Sequence, residues 1–450
     1  MSFSRRDFLM IMGSAGLLSS PLATLAHAPL PHRKSDVTFK GIAPDFQDRL
    51  LVSEGMTWHH FLKGGDSLGN DLGFGDCCDH LQFFLFSSDA HCFLLVNHEY
   101  YNLMFFISPE RTRENLDVEM GLVGGSLVEV RQGIDGKWAQ VKGSAYNRRL
   151  TAKTVIPFAW DHPIAGKTEA VGTFANCAGG KTPWGTVLTC EENYDMFYGE
   201  RERETGKQTP STWYGWEKHL EHPPEHYGWI VEVEPMTGKA KKLVALGRFA
   251  HEAATVRQGK DGRCVVYSGD DTNNEFIYKF IASEKGSLDK GTLYVADTVN
   301  GVWIPMVHSD KRLNKTFRDQ TEVLVHCREA ARLLGATPQD RPEDIEIDPF
   351  TGDVLIACTN NSREKRPFGK IIKIKERNND PFSLNFRVET FLAGSESGGF
   401  ACPDNMVFDK VGNLWFTTDM SGRDMDGPDL KNFGHNGLFV VIRNGPQKGI

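Results

Sequence analysis

Carboxylates and one thiol recur in this sequence at the ends of short apolar segments, where they could bind metal ions. The residues are Glu99, Cys190, Glu191, Glu252, Asp270, Asp271, Glu343, Asp344, Asp404 and Asp419. If these side chains gathered at one place, their like charges would raise one another's pKa values, and cations would be needed to hold them. Oxygen ligands alone suit a hard ion such as calcium, whereas a thiolate among carboxylates suits a transition metal. Cys190 is therefore the residue that decides which kind of metal is expected.

A repeated hairpin pattern would have to position these residues. Each copy has a polar or acidic residue, a strand, a tight turn, a second strand and another polar or acidic residue. The copies span residues 79–99, 176–192, 251–271, 341–361 and 404–419. Strand meanders that repeat around a ring form a β-propeller, whose innermost strands present their end residues at one mouth. The sequence therefore predicts an all-β fold, a β-propeller for which the chain length favours six blades, with inserted loops and a few short helices.

Each of these residues also has a simpler interpretation. Asp and Glu at strand ends often form turns or stay solvated, and Cys190 could equally be a buried strand residue. The chain has nine cysteines and no CxxC pair with zinc spacing, so most of them are expected to be buried small hydrophobes. His98 and His251 each directly precede an acidic residue, and we expect them to support or pack against the site rather than to bind metal.

Composition and charge exclude one class of partner. The 450 residues carry a net charge of −8, and the sequence shows no concentrated basic face of the kind that binds a phosphate backbone. Nucleic acid is therefore not expected as the main partner. The acidic balance is compatible with cation binding.

The N-terminal residues predict export from the cytoplasm. Ser4-Arg5-Arg6-Asp7-Phe8-Leu9 is a twin-arginine signature, and a mildly apolar run leads to the cleavage pattern Ala26-His27-Ala28. We expect residues 1–28 to be a signal peptide for the twin-arginine (Tat) export machinery and residues 29–450 to be a single β-propeller domain. The mature chain is then expected to be periplasmic or secreted, with no stable membrane span after cleavage.

Several ordered motifs resemble those of the PhoX-type alkaline phosphatases. They are Asn97-His98-Glu99-Tyr100, Asn176-Cys177-Ala178, Thr189-Cys190-Glu191-Glu192-Asn193, Arg248-Phe249-Ala250-His251-Glu252, Gly269-Asp270-Asp271, Arg341-Pro342-Glu343-Asp344 and Pro403-Asp404-Asn405. The resemblance implies a six-bladed propeller as the catalytic domain, a mixed iron and calcium cluster, and hydrolysis of small-molecule phosphate esters outside the cytoplasm.

The resemblance also implies roles for individual residues. It makes Cys190 the thiolate ligand of an iron. The other metal ligands that it implies are Glu99, Glu252, Asp271, Glu343 and Asp404. Arg341 would bind the phosphoryl oxygens, for which a planar bidentate donor is well suited, and Asn176 would be a second phosphate contact.

Two local features bear on these roles. Arg341 and Glu343 lie two residues apart, so on a regular strand they would share a face, with Asp344 pointing away as a supporting group. Cys77-Cys78 stand where the resemblance leads us to expect polar residues, which leaves the role of Asp79 open.

The resulting hypothesis is a metal-dependent phosphatase in which a metal-bound oxide or hydroxide attacks phosphorus while Arg341 and the metals hold the charge. The sequence contains neither a Ser-His-Asp arrangement with a nucleophile elbow nor a Walker-type phosphate loop. Two alternatives stay open. One is a calcium-dependent propeller lactonase or esterase, which would use no thiolate, and the other is a non-catalytic calcium-binding propeller.

Overall fold

The structure is a computed structural model that describes residues 40–47, 49–69, 72–102 and 112–444. Within these ranges the chain consists mainly of β-strands, as the period-two apolar pattern predicts. The expected signal peptide, residues 1–28, lies outside the described residues. Of the helices that the structure describes, none is both long and apolar enough to span a membrane.

Five sheets of three or more strands form the blades of a β-propeller, numbered here 1 to 5 in chain order. Blade 1 contains Cys78–Ser88, His91–His98, Gly124–Gln132, Trp138–Gln140 and Arg148–Leu150. Blade 2 contains Asn176–Lys181, Val187–Glu191, Ile230–Val233 and Ala240–Lys242. Blade 3 contains His251–Gln258, Arg263–Asp270, Ile277–Lys285, Gly291–Asp297 and Val302–Pro305. Blade 4 contains Pro342–Ile347, Val354–Cys358, Lys370–Glu376 and Phe386–Ala393, and blade 5 contains Pro403–Phe408, Leu414–Thr418 and Leu438–Val441.

The remaining elements are short. Three two-stranded sheets pair Ser67–Gly69 with Leu72–Gly73, Val155–Pro157 with Glu169–Val171, and Glu200–Arg201 with Gln208–Thr209. The α-helices are Arg113–Leu122, Tyr194–Tyr198, Gln320–Val325, Cys327–Leu334 and Gly422–Met425. The 3-10 turns are Trp216–Lys218, Pro224–His226, Val244–Leu246, Arg377–Asn379 and Lys431–Phe433.

Each blade begins with one of the five hairpins that the sequence repeats, which confirms the propeller prediction. The expected number of six blades came from chain length and from the family resemblance, and the described residues instead form five. The difference arises because much of the chain lies in connections, above all residues 192–229 between the second and third strands of blade 2 and residues 306–341 between blades 3 and 4. A count of repeated hairpins therefore predicts the blades better than length does.

The first strands of the blades surround the propeller axis. Each of them contacts the first strand of the next blade, from blade 1 through to blade 5. The charge of Asp79 in blade 1 also raises the pKa of Asp404 in blade 5, after the larger effect of burial. The first strands of blades 1 and 5 therefore face the same central region.

Alternating side chains of each blade fill the spaces on its two sides. In the second strand of blade 4, Val354, Ile356 and Cys358 pack in the apolar cluster shared with blade 3. Leu355 and Ala357 point to the opposite side and pack in the cluster shared with blade 5. This alternation is the geometry of a strand buried on both faces. It holds neighbouring blades together and fixes the positions of their inner ends.

Candidate metal centre

The first strand of every blade carries a β-bulge close to its beginning. Strand pairing is irregular between Cys78 and Leu81, Asn176 and Gly179, Glu252 and Thr255, Pro342 and Ile345, and Pro403 and Met406. A bulge adds residues to one strand and turns their side chains out of the regular alternation. In four blades the residue that opens the bulge is a possible ligand, namely Asp79, Cys177, Glu343 and Asp404. The fold thus repeats one device that can aim ligand-type side chains at the axis.

A left-handed backbone conformation accompanies each bulge. Cys77, Ala175, Arg341 and Cys402 directly precede the first strands of their blades and have φ values of 43°, 52°, 51° and 51°. In blade 3 the left-handed residue is Ala253, inside the bulge, with φ 65°. This conformation is costly for residues other than glycine and persists where the surrounding structure enforces it, often at functional sites. The chain therefore turns sharply at the same end of every blade.

Two groups of potential metal ligands form at this end and share one thiol. Asp79, Glu99 and Cys177 have ligand atoms that all lie within 4.8 Å of one another, and so do Cys177, Glu192 and Glu252. The five residues come from blades 1, 2 and 3. Because Cys177 belongs to both groups, they form a single candidate metal centre, which we call the carboxylate–thiol cluster.

Several oxygen atoms in and beside this cluster have no hydrogen-bond partner among the described residues. Asp79 Oδ1, Glu252 Oε2 and Asp271 Oδ1 are buried and unsatisfied. A buried polar atom without a partner is costly, and a bound cation would satisfy all three. The donor set therefore fits metal ions.

Burial and mutual repulsion shift the titration of the cluster. Burial, and next the charge of Asp79, raise the pKa of Glu99 to about 7. Burial also raises the pKa values of Glu192 and Glu252 well above the usual range. The next largest cause is the charge of Glu99 for Glu192 and the charge of Glu343 for Glu252. The pKa of Cys177 is likewise raised by burial and by Asp79. Bound cations would reverse these shifts because they favour the charged forms.

Arg341 lies beside a pair of acidic residues at the same end of the propeller. Its Nη2 donates to Asp271 Oδ2 at 2.7 Å and to Glu343 Oε1 at 2.8 Å. Both carboxylates are almost fully buried, whereas the Arg341 side chain is 25% exposed. Burial and the charge of Asp271 raise the pKa of Glu343 despite the opposing effect of Arg341. Arg341 is thus oriented by two anions and still reachable from solvent.

Asp344 supports the backbone. Its two carboxylate oxygens accept hydrogen bonds from the amides of Ile345, at 2.8 Å, and Met406, at 2.7 Å. The second bond connects the bulge of blade 4 to that of blade 5. Burial raises the pKa of Asp344 to about 7 although both amides lower it. Arg341 contacts Glu343 and Asp344 turns to the backbone, as expected, but the reason is not regular strand alternation: Arg341 precedes the strand with a left-handed φ of 51°, and the pairing is irregular between Pro342 and Ile345.

The structure does not bring Cys190 to the cluster. Cys190 lies in the regular part of its strand, paired with Ile230, and its side chain is fully buried in an apolar cluster with Leu188 and Trp229. Cys177 occupies the position among the carboxylates instead, because the bulge turns it toward the axis. Cys177, and not the predicted Cys190, is therefore the thiol that lies among the potential ligands.

Two predicted carboxylates are neutralised by other partners. Glu191 pairs with Lys242, with Oε1 and Nζ 2.6 Å apart and both side chains fully buried. Asp270 accepts two hydrogen bonds from Arg328, at 2.8 and 2.6 Å. Asp404 and Asp419 lie near Glu343, since the charges of both raise its pKa.

Amide and imidazole groups form a supporting layer. Asn176 is fully buried, and its Nδ2 donates to Thr173 Oγ1 and Thr189 Oγ1, both at 2.9 Å. His98 Nε2 lies 2.7 Å from Ser126 Oγ and His251 Nδ1 lies 3.0 Å from Ser268 Oγ. Neither histidine belongs to a potential ligand group among the described residues.

Sequence reasoning missed Cys177 and Glu192 and left Asp79 open. An alignment of the five hairpin copies on their first strands would have indicated Asp79 and Cys177. Asp79, Cys177, Glu343 and Asp404 occupy equivalent places, second in the strand. Glu192, the residue after Glu191, could be identified only from its position in the folded structure.

The comparisons with known proteins agree with this geometry. A family model described as alkaline phosphatase PhoX matches residues 37–447. Among solved structures, Pseudomonas fluorescens PhoX in complex with vanadate, a transition state analogue, is 29% identical, with a TM-score of 0.82 over 90% of this chain and 87% of that chain. No curated protein sequence is significantly similar to the chain.

Two further structures are only distantly similar. A luciferin-regenerating enzyme is 10% identical, with a TM-score of 0.35 over 84% of this chain and 81% of that chain. A protein of unknown function from Dyadobacter fermentans DSM 18053 is 10% identical, with a TM-score of 0.38 over 82% of this chain and 84% of that chain. These similarities are too weak to bear on function.

Proposed function

Because the chain belongs to the PhoX family of alkaline phosphatases, it hydrolyses phosphate esters, and we propose that it does so with metal ions bound at the carboxylate–thiol cluster. The observation that carries this proposal is the convergence of buried, unsatisfied carboxylate oxygens and one thiol from three blades. Family membership favours this function over a propeller lactonase and over a non-catalytic propeller.

We propose that the metals are calcium and iron, because the cluster contains both carboxylate oxygens and a thiol. Carboxylate oxygens such as those of Asp79, Glu99 and Glu252 suit calcium, and a thiolate suits iron. Cys177 therefore replaces Cys190 as the proposed iron ligand. We keep Asp271, Glu343 and Asp404 as proposed ligands at the edge of the cluster. When bound, such cations supply electrostatic stabilisation of the transferring phosphoryl group.

The chain's own contribution at the phosphoryl group is proposed to come from Arg341. Asp271 and Glu343 hold its Nη2, while its Nε and Nη1 donate no hydrogen bond within the described part of the chain. These donors can bind phosphoryl oxygens and gain strength from charge assistance. The two acidic partners fix the guanidinium before substrate arrives, so little ordering is needed at binding.

Asn176 is better suited to positioning than to phosphate contact. Its amide is buried and bonded to Thr173 and Thr189, one residue before Cys177. Asn97 acts on the same segment, since its Nδ2 donates to the carbonyl oxygens of Cys177 and Ala178 at 2.6 and 2.9 Å. We propose that this network orients the thiol.

Elemental analysis of the purified protein, combined with an assay on an aryl phosphate, tests the proposed function. We expect iron and calcium in the protein and loss of activity with a calcium chelator. Cys177→Ser should remove iron and activity together, whereas the matched variant Cys190→Ser should keep both in its folded fraction. Activity that survives chelation, or iron retained in Cys177→Ser but lost in Cys190→Ser, would contradict the proposal.

Export by the twin-arginine route, and hence a periplasmic or secreted location, is part of the proposal. It is supported by Arg5-Arg6 and the residues that follow. Replacing both arginines with lysine should retain the protein in the cytoplasm, which cell fractionation would detect. Normal export of that variant would contradict the assignment.

A further inference from the structure

A cavity of about 320 Å³ opens between the loops that follow the second strands of blades 4 and 5. Both loops are connected to residues of the candidate metal centre. Thr359 donates its amide to the carbonyl oxygen of Arg341 at 3.1 Å, and the next residue, Asn360, lines the cavity. Asn360 Nδ2 lies 3.5 Å from Cys402 Sγ, and Cys402 is two residues before Asp404. The cavity therefore adjoins the chain segments that carry Arg341 and Asp404.

The charged groups of the cavity are balanced and free to act. Its cations are Lys365, Arg366 and Arg423, and its carboxylates are Asp424 and Asp429. Arg366 is engaged outside the cavity, with its Nε 3.0 Å from Asp340 Oδ2. The other four have no ion-pair partner among the residues that the structure describes, although Asp424 Oδ2 accepts a hydrogen bond from Ser421 Oγ at 2.8 Å. Two positive and two negative charges thus remain available around one cavity.

Backbone hydrogen bonds fix the loop that carries Lys365. The amides of Asn361 and Arg366 each donate to the carbonyl oxygen of the other, at 2.8 and 2.9 Å, and close the loop. Lys365 lies within this closed loop with a left-handed φ of 55°. Pro367 and Pro428 also line the cavity and restrict its walls. The cavity is therefore formed before any ligand binds.

We propose that this cavity binds the leaving group of the substrate and that its mixed charges select a zwitterionic leaving group, with one ammonium and one carboxylate. Lys365 and Arg423 would pair with the carboxylate, and Asp424 and Asp429 with the ammonium. The inference rests on the proposed phosphatase function. The volume is at the lower end of the range for small-molecule sites, and the charged side chains around the cavity favour a charged group over a purely apolar one.

Four phosphate monoesters of similar size test the charge preference directly. O-phosphoserine has a zwitterionic leaving group, phosphoethanolamine a cationic one, 3-phosphoglycerate an anionic one and glycerol 3-phosphate a neutral one. We expect kcat/KM, measured by phosphate release, to be about three- to tenfold higher for O-phosphoserine than for glycerol 3-phosphate, since each exposed charge pair adds a few-fold.

Variants then assign the preference to named groups. Lys365→Met should narrow the preference for O-phosphoserine over phosphoethanolamine, because the carboxylate loses a partner. Asp429→Asn should narrow the preference for O-phosphoserine over 3-phosphoglycerate, because the ammonium loses a partner. Arg363→Met, an exposed cation of the same loop outside the cavity, is the matched control and should change neither ratio.

The outcomes separate this inference from the proposed function. Equal kcat/KM for all four esters, a preference for 3-phosphoglycerate, or an equal effect of Arg363→Met and Lys365→Met would overturn the inference and leave the phosphatase function standing. Hydrolysis of none of the four esters, nor of an aryl phosphate, would overturn both.

Discussion

The buried ion pair beside the candidate metal centre yields a quantitative prediction for Lys242→Met. Lys242 Nζ contacts Glu191 Oε1 at 2.6 Å and donates to the carbonyl oxygen of His226 at 2.8 Å. The other oxygen of Glu191 accepts from the amides of Gly228 and Trp229, at 3.0 and 3.1 Å. Removing the lysine leaves Glu191 as an uncompensated buried charge, which costs about 3–5 kcal/mol of unfolding free energy.

The cost should depend on pH in a defined direction. Burial raises the pKa of Glu191 above 4.5 even with Lys242 in place, and loss of the lysine raises it further. The folded state therefore favours the protonated carboxyl, so its contribution to stability is present below the unfolded pKa and is lost as pH rises. We expect Lys242→Met to be destabilising by about 3–5 kcal/mol at pH 8 and by clearly less at pH 5.

Urea unfolding of the metal-free protein, followed by tryptophan fluorescence, measures this effect. The neighbouring Lys241→Met is the matched control, because Lys241 is 34% exposed and its pairs with Glu232 and Asp289 should contribute at most about 1 kcal/mol. The double variant Glu191→Gln/Lys242→Met should recover most of the loss, since it leaves no buried charge. A cost at pH 8 no larger than that of Lys241→Met, or one that does not grow with pH, would refute the reasoning.

Three further predictions concern the site itself. Arg341→Lys should lower kcat/KM about 10- to 100-fold, because an ammonium cannot reproduce the bidentate contact, and steady-state kinetics on an aryl phosphate would show it. Asp344→Asn should cost about 1–3 kcal/mol in urea unfolding, since one of the amides of Ile345 and Met406 loses its acceptor. Burial raises the pKa values of Glu99 and Asp344 to about 7, so the folded, metal-free protein favours their protonated forms. The stability that these two carboxyls contribute is fully present below their unfolded pKa of about 4 and is lost as the pH rises toward 7. We therefore expect the Tm of chelated protein to fall between pH 5 and pH 8 and added calcium to reverse the fall, and an unchanged Tm would contradict this.

The propeller was predictable because its information is local. Each blade starts with a hairpin whose apolar alternation and turn residues appear within about twenty residues of sequence. The second strand of blade 4, Val354–Cys358, illustrates this, since its unbroken apolar run already indicates burial on both faces. The number of blades was not predictable from length, because a connection such as residues 192–229 cannot be distinguished from a blade by size alone.

The thiol position shows why regular strand geometry misleads at a site. Cys190 and Glu191 end an apolar strand, where a ligand was expected, and the alternation rule gave no reason to prefer Cys177. The bulge between Asn176 and Gly179 changes the direction of Cys177, and a bulge depends on pairing with another strand. Glycine at 179 is a local signal, because a Cβ there would lie 2.5 Å from the carbonyl oxygen of Leu188.

The electrostatics of the cluster make metal binding, protonation and local order interdependent. Glu99, Glu192 and Glu252 have raised pKa values in the metal-free fold, so they keep their protons to higher pH than a free carboxylate does. Cations must displace these protons, and the thiol proton of Cys177, before they bind. Metal affinity should therefore rise with pH. Bound cations should also neutralise the repulsion between the ionised carboxylates, so we expect them to stabilise the left-handed turns next to the bulges.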